Sequence, residues 1–182
     1  EIESFSLARS LLGPHRGVTA IIQLGAVVTT LVVVDRRQVR LNNNFGRGSQ
    51  EITAALAHSL GVVPERAETI KREVGLSVKP EDREVAGVIS PIIDSILADV
   101  ERALASYNRT AARKVENIIL AGGGAGLSGL EGRVAERFGL ETAVGNPFNR
   151  TVFPAFLAPV LKGIAPGFAV AVGLALRPIT PV

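Results

Sequence analysis

Residues 18–45 read VTAIIQLGAVVTTLVVVDRRQVRLNNNF, and the way they fold decides the class of the whole molecule. Three runs rich in valine, isoleucine and threonine follow one another: VTAIIQL, VVTTLVVVD and QVRLNNNF. Gly25-Ala26 and Asp35-Arg36-Arg37 separate them. β-Branched side chains favour a pleated strand, and strands joined by turns this short pair as an antiparallel meander. Gly25 leaves two readings open: a plain hairpin turn, or a loop in which the absent Cβ lets a phosphate approach the main chain.

Ahead of the meander, Ile2, Phe5, Ala8, Leu11 and Leu12 recur at helical spacing, and Gly13-Pro14 stops that helix. Behind it, Gly48 or Ser49 caps QEITAALAHSL and Gly61 ends it. Pro64 opens PERAETIKREV in its first turn, and Gly75 closes it. From Val85 to Tyr107 one apolar face continues unbroken with Pro91 inside it, which predicts a long helix kinked there. KVENIILAGGGAGLSGLEGRVAERFG then reads as strand, glycine loop and helix. LETAV is a short strand, GNPF a turn and GFAVAVGLALR a last helix. Strands first, helices next, and then both in alternation predict an α/β fold, with a mixed sheet covered by helices.

Composition narrows the class. The 182 residues are 47% hydrophobic and 20% charged, enough for a sizeable core. Without cysteine there is neither a disulfide framework nor a thiolate metal site, which fits a reducing compartment. The opening EIESFSLARS is no signal peptide, and a chain with no methionine reads as part of a longer protein. The apolar run IAPGFAVAVGLAL (164–176) has 13 residues, short for a hydrocarbon core of ~30 Å, so a buried helix is expected. Net charge is +3, concentrated in DRRQVRLNNNFGR (35–47), where Arg36, Arg37, Arg40 and Arg47 face one aspartate. Phe45 is the only aromatic there, so a solvated hairpin tip is expected and not a nucleic-acid surface.

LAGGGAGLSGL (120–130) contains G-x-G-x-x-G at Gly124, Gly126 and Gly129. A dinucleotide site also needs an acid at the end of the next strand, to hold the ribose. That strand ends at Val144-Gly145-Asn146, with Glu141 at its start. A strand-to-helix turn that uses glycine for close packing therefore stays open. No Walker lysine follows any glycine run, Ser128 lacks the nucleophile-elbow spacing, and His15 and His58 sit in no metal-ligand pattern. In AETIK, Glu68 and Lys71 are i and i+3, on one helix face, where an isolated pair is ordinarily a solvated ion pair.

Together and in this order, QLGAVVT, AETIK and GGGAGLSGL resemble the second lobe of the actin/Hsp70-like (ribonuclease H-like) ATPase fold. The resemblance is closest to the PilM family of type IV pilus assembly proteins, relatives of the cell-division protein FtsA. ESFSLARSLLG looks like the family's helix out of the first lobe, GSQEITAALAHSLGV with RAETIKREVG like its paired helices, and PGFAVAVGLALR like its closing helix. The resemblance implies a linking helix at 1–16, a sheet subdomain at 17–48 and 109–163, a small inserted helical subdomain at 49–108 and a closing helix at 164–182.

It further implies ATP and Mg²⁺ as cofactors. Gly25, Ala26 and Thr29 would belong to the phosphate loop, Glu68 and Lys71 would meet the ribose, and Gly122, Gly123 and Gly124 would line the adenosine. Gln23 stands where the family usually has the aspartate that helps place Mg²⁺ and the attacking water, so no catalytic residue is assigned. The expected setting is cytoplasmic, peripheral to the inner membrane through other pilus assembly proteins and without direct insertion. The partner implied is the tail of a PilN-like inner-membrane protein, bound mainly by a first lobe that this sequence does not contain. Two rivals share the fold: an interaction module without a working nucleotide site, and an FtsA-like protein. FtsA normally ends in a membrane-binding amphipathic helix, whereas this chain ends in RPITPV.

Overall fold

A computed structural model describes residues 1–13 and 17–177. The turn holding His15 and the last five residues lie outside the described residues. The order is α1 (Glu3–Leu11), β1 (Thr19–Leu24), β2 (Thr29–Asp35), β3 (Gln38–Phe45), α2 (Ser49–Leu60), α3 (Pro64–Val74), α4 (Arg83–Thr110), β4 (Asn117–Ala121), α5 (Leu130–Phe138), β5 (Glu141–Val144), α6 (Ala158–Ile164) and α7 (Ala169–Ala175).

The expected meander forms. β1, β2 and β3 pair antiparallel, β4 pairs parallel to β1, β5 parallel to β4, and the sheet order is β3-β2-β1-β4-β5. β2 begins at Thr29, two residues later than VVTTLVVVD suggests, because Val27 and Val28 belong to the turn that Gly25 N–H closes on the Val28 carbonyl at 3.0 Å. The central strands are covered on both faces, which is why they read as near-continuous apolar runs. Ala20, Ile22, Leu24, Leu31 and Val33 face α4 and α5, while Ile21, Val32 and Val34 face α1 and α7. Edge strand β3 alternates exposed and half-buried residues instead.

On the first face, α4 runs through Pro91 without a break and contributes Ile89, Ile93, Ile96, Leu97, Val100 and Leu104 to the core. Ser90 Oγ donates to the Ala86 carbonyl at 2.8 Å beside the proline. α2 and α3, inserted between β3 and β4, pack on α4, and Ile52, Leu56 and Ala67 join the same core. Gly61 ends α2 in the left-handed helical conformation with φ +64°, and Gly75 ends α3 with φ +58°, positive values that glycine adopts without strain.

The second face departs from its expected pattern. The buried residues of α1 are Ser4, Ser6, Leu7, Ala8, Arg9 and Ser10, while Ile2 is exposed. Small side chains are needed there because α7 lies directly against α1: a Cβ on Gly173 would collide with the Ser6 carbonyl oxygen. Arg9 Nη1 donates to the Gly173 carbonyl at 2.9 Å. The apolar C-terminal region is also longer and more exposed than the expected buried helix. Helical turns run from Ala155 to Ala175, 21 residues that are long and apolar enough by composition to cross a bilayer, with 17% of the most apolar stretch buried. Phe156 and Val160 stand in solvent, while Ala165, Ala169 and Val172 pack inward.

Candidate functional site

β1 and β4 are parallel neighbours, and at their C-terminal ends the chain turns away from the sheet, the place where open α/β sheets bind ligands. A cleft of about 670 Å³ opens there, within the size range of small-molecule sites. Leu24 and Ala26, the start of α2, the Glu68–Arg72 face of α3, the glycine run and the turn at Ile164–Gly167 all line it. Segments about a hundred residues apart in the chain meet on one cavity.

The glycines in its wall are of two kinds. At Gly122, with φ +84°, a Cβ would lie 2.5 Å from the Leu24 carbonyl oxygen, and at Gly124 it would lie 2.5 Å from Leu24 Cγ. These two are glycine so that the chain leaving β4 can cross the end of β1. At Gly123 and Gly126 a Cβ would meet nothing within 4 Å. Gly122 N–H donates to the Pro166 carbonyl at 2.8 Å, which fixes the far wall of the cleft.

On the opposite wall Glu68 and Lys71 form one polar unit with α2. Lys71 Nζ lies 2.5 Å from Glu68 Oε2, donates to Thr53 Oγ1 at 2.9 Å and reaches the Ser49 carbonyl at 3.3 Å. Thr53 Oγ1 donates to Glu68 Oε2 at 2.7 Å, and Arg72 Nε donates to Glu68 Oε1 at 2.9 Å. Burial works against ionising Glu68, but hydrogen bonds from Lys71, Thr53 and Arg72 outweigh it and hold the carboxyl at about 2. Lys71 is 6% exposed, so its ammonium is held by this set of acceptors and not by solvent.

The hairpin between β1 and β2 is held by the start of α2 and the residue Arg47 just ahead of it. Ser49 N–H donates to the Gly25 carbonyl and Gln50 N–H to the Ala26 carbonyl, each at 2.9 Å. From the other strand Thr29 Oγ1 donates to the Arg47 carbonyl at 2.8 Å. Arg47 is itself anchored by Glu51, at 2.6 and 3.0 Å, and by Ser95 Oγ. The first amides of α2, which would otherwise form a ready anion site, are thus spent on the hairpin.

Of the residues singled out in the sequence, Ala26, Glu68, Lys71, Gly122, Gly123 and Gly124 line the one cavity. Gly25 and Thr29 do not. The Gly25 N–H closes the turn, where a Cβ would lie 2.6 Å from the Val28 carbonyl oxygen, and Thr29 is buried in the clamp on Arg47. Gln23 is turned toward α1, where its Nε2 donates to Glu3 Oε1 at 2.6 Å and its buried Oε1 has no hydrogen-bond partner among the described residues. Sequence reasoning missed Ser49, Thr53, Arg72 and the Pro166-Gly167 turn. Ser49 and Thr53 are i and i+4 on one face of α2, the spacing that could have flagged them.

A family model described as type IV pilus assembly protein PilM matches residues 4–179. Among solved structures, the chain is similar to one in a PilM–PilN type IV pilus biogenesis complex. That match has 25% identity and a TM-score of 0.84 over 100% of this chain and 53% of the other. The ethanolamine utilization protein EutJ from Carboxydothermus hydrogenoformans matches at 23% identity and TM-score 0.67, over 96% of this chain and 53% of its own. MreB5 of Spiroplasma citri, solved with AMPPNP, matches at 13% identity and TM-score 0.69, over 96% of this chain and 56% of its own. The last two establish likeness of fold alone. The chain spans about half the length of each solved protein it matches.

Proposed function

The chain belongs to the family of the type IV pilus assembly protein PilM, and we propose that its cleft takes an adenine nucleotide as one lobe of a pilus-assembly scaffold. One observation carries this reading: Ala26, Glu68 and the 122–124 glycines, from three distant segments, border a single cleft. The phosphates would lie toward Ala26, the ribose toward Glu68 and the adenosine over Gly123 and Gly126, where no protein atom fills the space of a Cβ. Any Mg²⁺ would ride on the phosphates, since no cluster of three or more His, Cys, Asp or Glu side chains occurs among the described residues. Gln23, an amide held by Glu3, offers no carboxylate to such an ion, so nucleotide holding and not hydrolysis is the role proposed.

The solved neighbour in a PilM–PilN complex supports a PilN-like protein as the partner. Contact with the inner membrane would then be indirect and cytoplasmic. The rival reading, an interaction module of the same fold without nucleotide, draws on the saturated donors of Lys71 and on Gln23.

A ligand at 100 times its dissociation constant stabilises a fold by ~2.7 kcal/mol. For a chain of this size that is a melting shift of roughly 5–11 °C. This lobe supplies one side of the site, so millimolar Mg-ATP should shift its melt by less than that, and Gly123→Val should remove the shift with the unliganded melt unchanged. A flat melt that persists when the chain is extended to the length of its solved relatives would favour the interaction module.

A further inference from the structure

We propose that the free edge of β3 is a docking site for an extended acidic segment of a partner protein. The segment adds to the five-stranded sheet as a further strand, with its carboxylates on the tip of the β2–β3 hairpin. The inference goes beyond the nucleotide reading and does not depend on it.

β3 stands at one end of the strand order, so its side away from β2 pairs with no strand. The two edges of the sheet are built differently. β5 has four residues and begins at Glu141, a short edge that offers little to a second chain. β3 has eight, Gln38–Phe45, with neither proline nor glycine among them. Val33 pairs with Leu41 and Val34 with Val39, which leaves Arg40 as a bulge. Beyond the bulge, residues 41–45 run in unbroken register along residues 29–33. Alternate residues there turn their N–H and C=O groups away from β2. Asn42 and Asn44 are exposed, and none of the five residues is charged. Exposed edges are ordinarily blunted by charge or proline, and this ladder has neither.

The charge sits at the tip instead. Arg36 and Arg37 have φ of +50° and +66°, the conformation of a two-residue turn that favours Asn-Gly. Arginine at both positions is a poor choice for the turn and a good one for presenting charge, the kind of local strain that accompanies function. Asp35 and Glu116 share Arg113, at 2.6 and 3.1 Å. Arg36, Arg37 and Arg40 are exposed and, among the described residues, in no ion pair. An uncharged ladder that ends on three unpaired arginines fits a strand with acids at one end. An anionic membrane would read the arginines and leave the ladder unpaired. A second copy would bring the same arginines and a like net charge of +3.

The probe is a blocked peptide of three glutamates followed by alternating threonine and valine, titrated into the purified chain and followed by NMR. Amide shifts should move and amide exchange should slow within residues 41–45, while Glu141–Val144 on the other edge stay unchanged. Glutamine in place of the glutamates should weaken binding by about fivefold or more. Methylating alternate backbone nitrogens of the peptide should abolish it, because the ladder then lacks its donors. The double variant Arg36→Asn, Arg37→Gly removes two charges and gives the turn the residues it favours. It should bind the peptide about fivefold or more weakly and melt at the same temperature or higher, so a failure to fold cannot imitate the result.

Equal binding of the glutamate and glutamine peptides, or binding that survives methylation, would overturn the proposal. So would shifts confined to the tip, or no binding at millimolar peptide. Flotation on phosphatidylglycerol vesicles that the double variant loses, with the peptide inert, would assign the tip to lipid headgroups. A dimer in sedimentation with residues 41–45 already protected would assign the edge to a second copy, and either result would refute a peptide site.

Discussion

The Glu68 carboxyl sits at about 2, far below its ordinary 4.5, and this displacement makes part of the stability pH-dependent. The folded state holds Glu68 ionised more strongly than the unfolded chain does, so its contribution is complete above about 4.5 and is lost as pH falls through about 2. A depression of that size corresponds to an upper bound of roughly 3.4 kcal/mol. The Glu68 side chain is 33% exposed and its partner Arg72 77% exposed, so solvent screens part of this. The expected contribution is about 1–2 kcal/mol. In the variant Glu68→Gln the term is absent at every pH. Urea unfolding of wild type and variant should therefore differ by about 1–2 kcal/mol at pH 7. By pH 3 less than half of the difference should survive, and near pH 2 it should be close to nothing. Taking the difference between the two proteins at each pH cancels every other carboxylate. A gap of equal size at pH 7 and near pH 2 would mean that the Glu68 charge is not what the Lys71, Thr53 and Arg72 contacts recognise.

Two further outcomes test the second face of the sheet. Gly173→Ala should lower stability by about 2–3 kcal/mol, because its Cβ has only the Ser6 backbone to displace, whereas Gly87→Ala in α4 should raise it by about 0.5–1 kcal/mol. Thermal melts of the two variants should move in opposite directions, and a neutral Gly173→Ala would contradict the α1–α7 contact. Plain phospholipid vesicles should not carry the purified chain upward in a flotation gradient. Inserting Ala155–Ala175 would break the bonds from Arg9 to Gly173 and from Gly122 to Pro166, and flotation would refute indirect association.

The sheet was legible because its signal is local. β1, β2, β4 and β5 fall within runs marked by β-branched residues, and the alternation of β3 marks it as an edge strand. The contact between α1 and α7 was not legible. Besides Leu7 and Ala8, its buried residues are three serines and an arginine that no apolar count selects, and Gly173 reads as an interruption of a helix when it is the point of closest approach. The C-terminal region misled for a related reason. Phe156 and Val160 extend the apolar pattern, but hydrophobicity in a sequence does not say which side chains find a partner.

At the site, sequence spacing placed Glu68 and Lys71 on one face but could not say what that face meets. The answer depends on α2 crossing within hydrogen-bond reach of α3, which turns an expected surface ion pair into three residues gathered around one ammonium. The glycine run carried two readings, a packing turn and a ligand wall; close packing holds at Gly122 and Gly124, and the space beside Gly123 and Gly126 is open. Leu24 separates them: its backbone and side chain occupy the space beside Gly122 and Gly124, while Gly123 and Gly126 look onto open cleft. Leu24 also lines that cleft and immediately precedes the turn at Gly25. The same residue therefore sets the height of the glycine wall and the start of the β1–β2 hairpin. The two sides of the cleft are fixed relative to each other by packing at Leu24 and by hydrogen bonds at Ser49, two independent ties in a site assembled from distant segments.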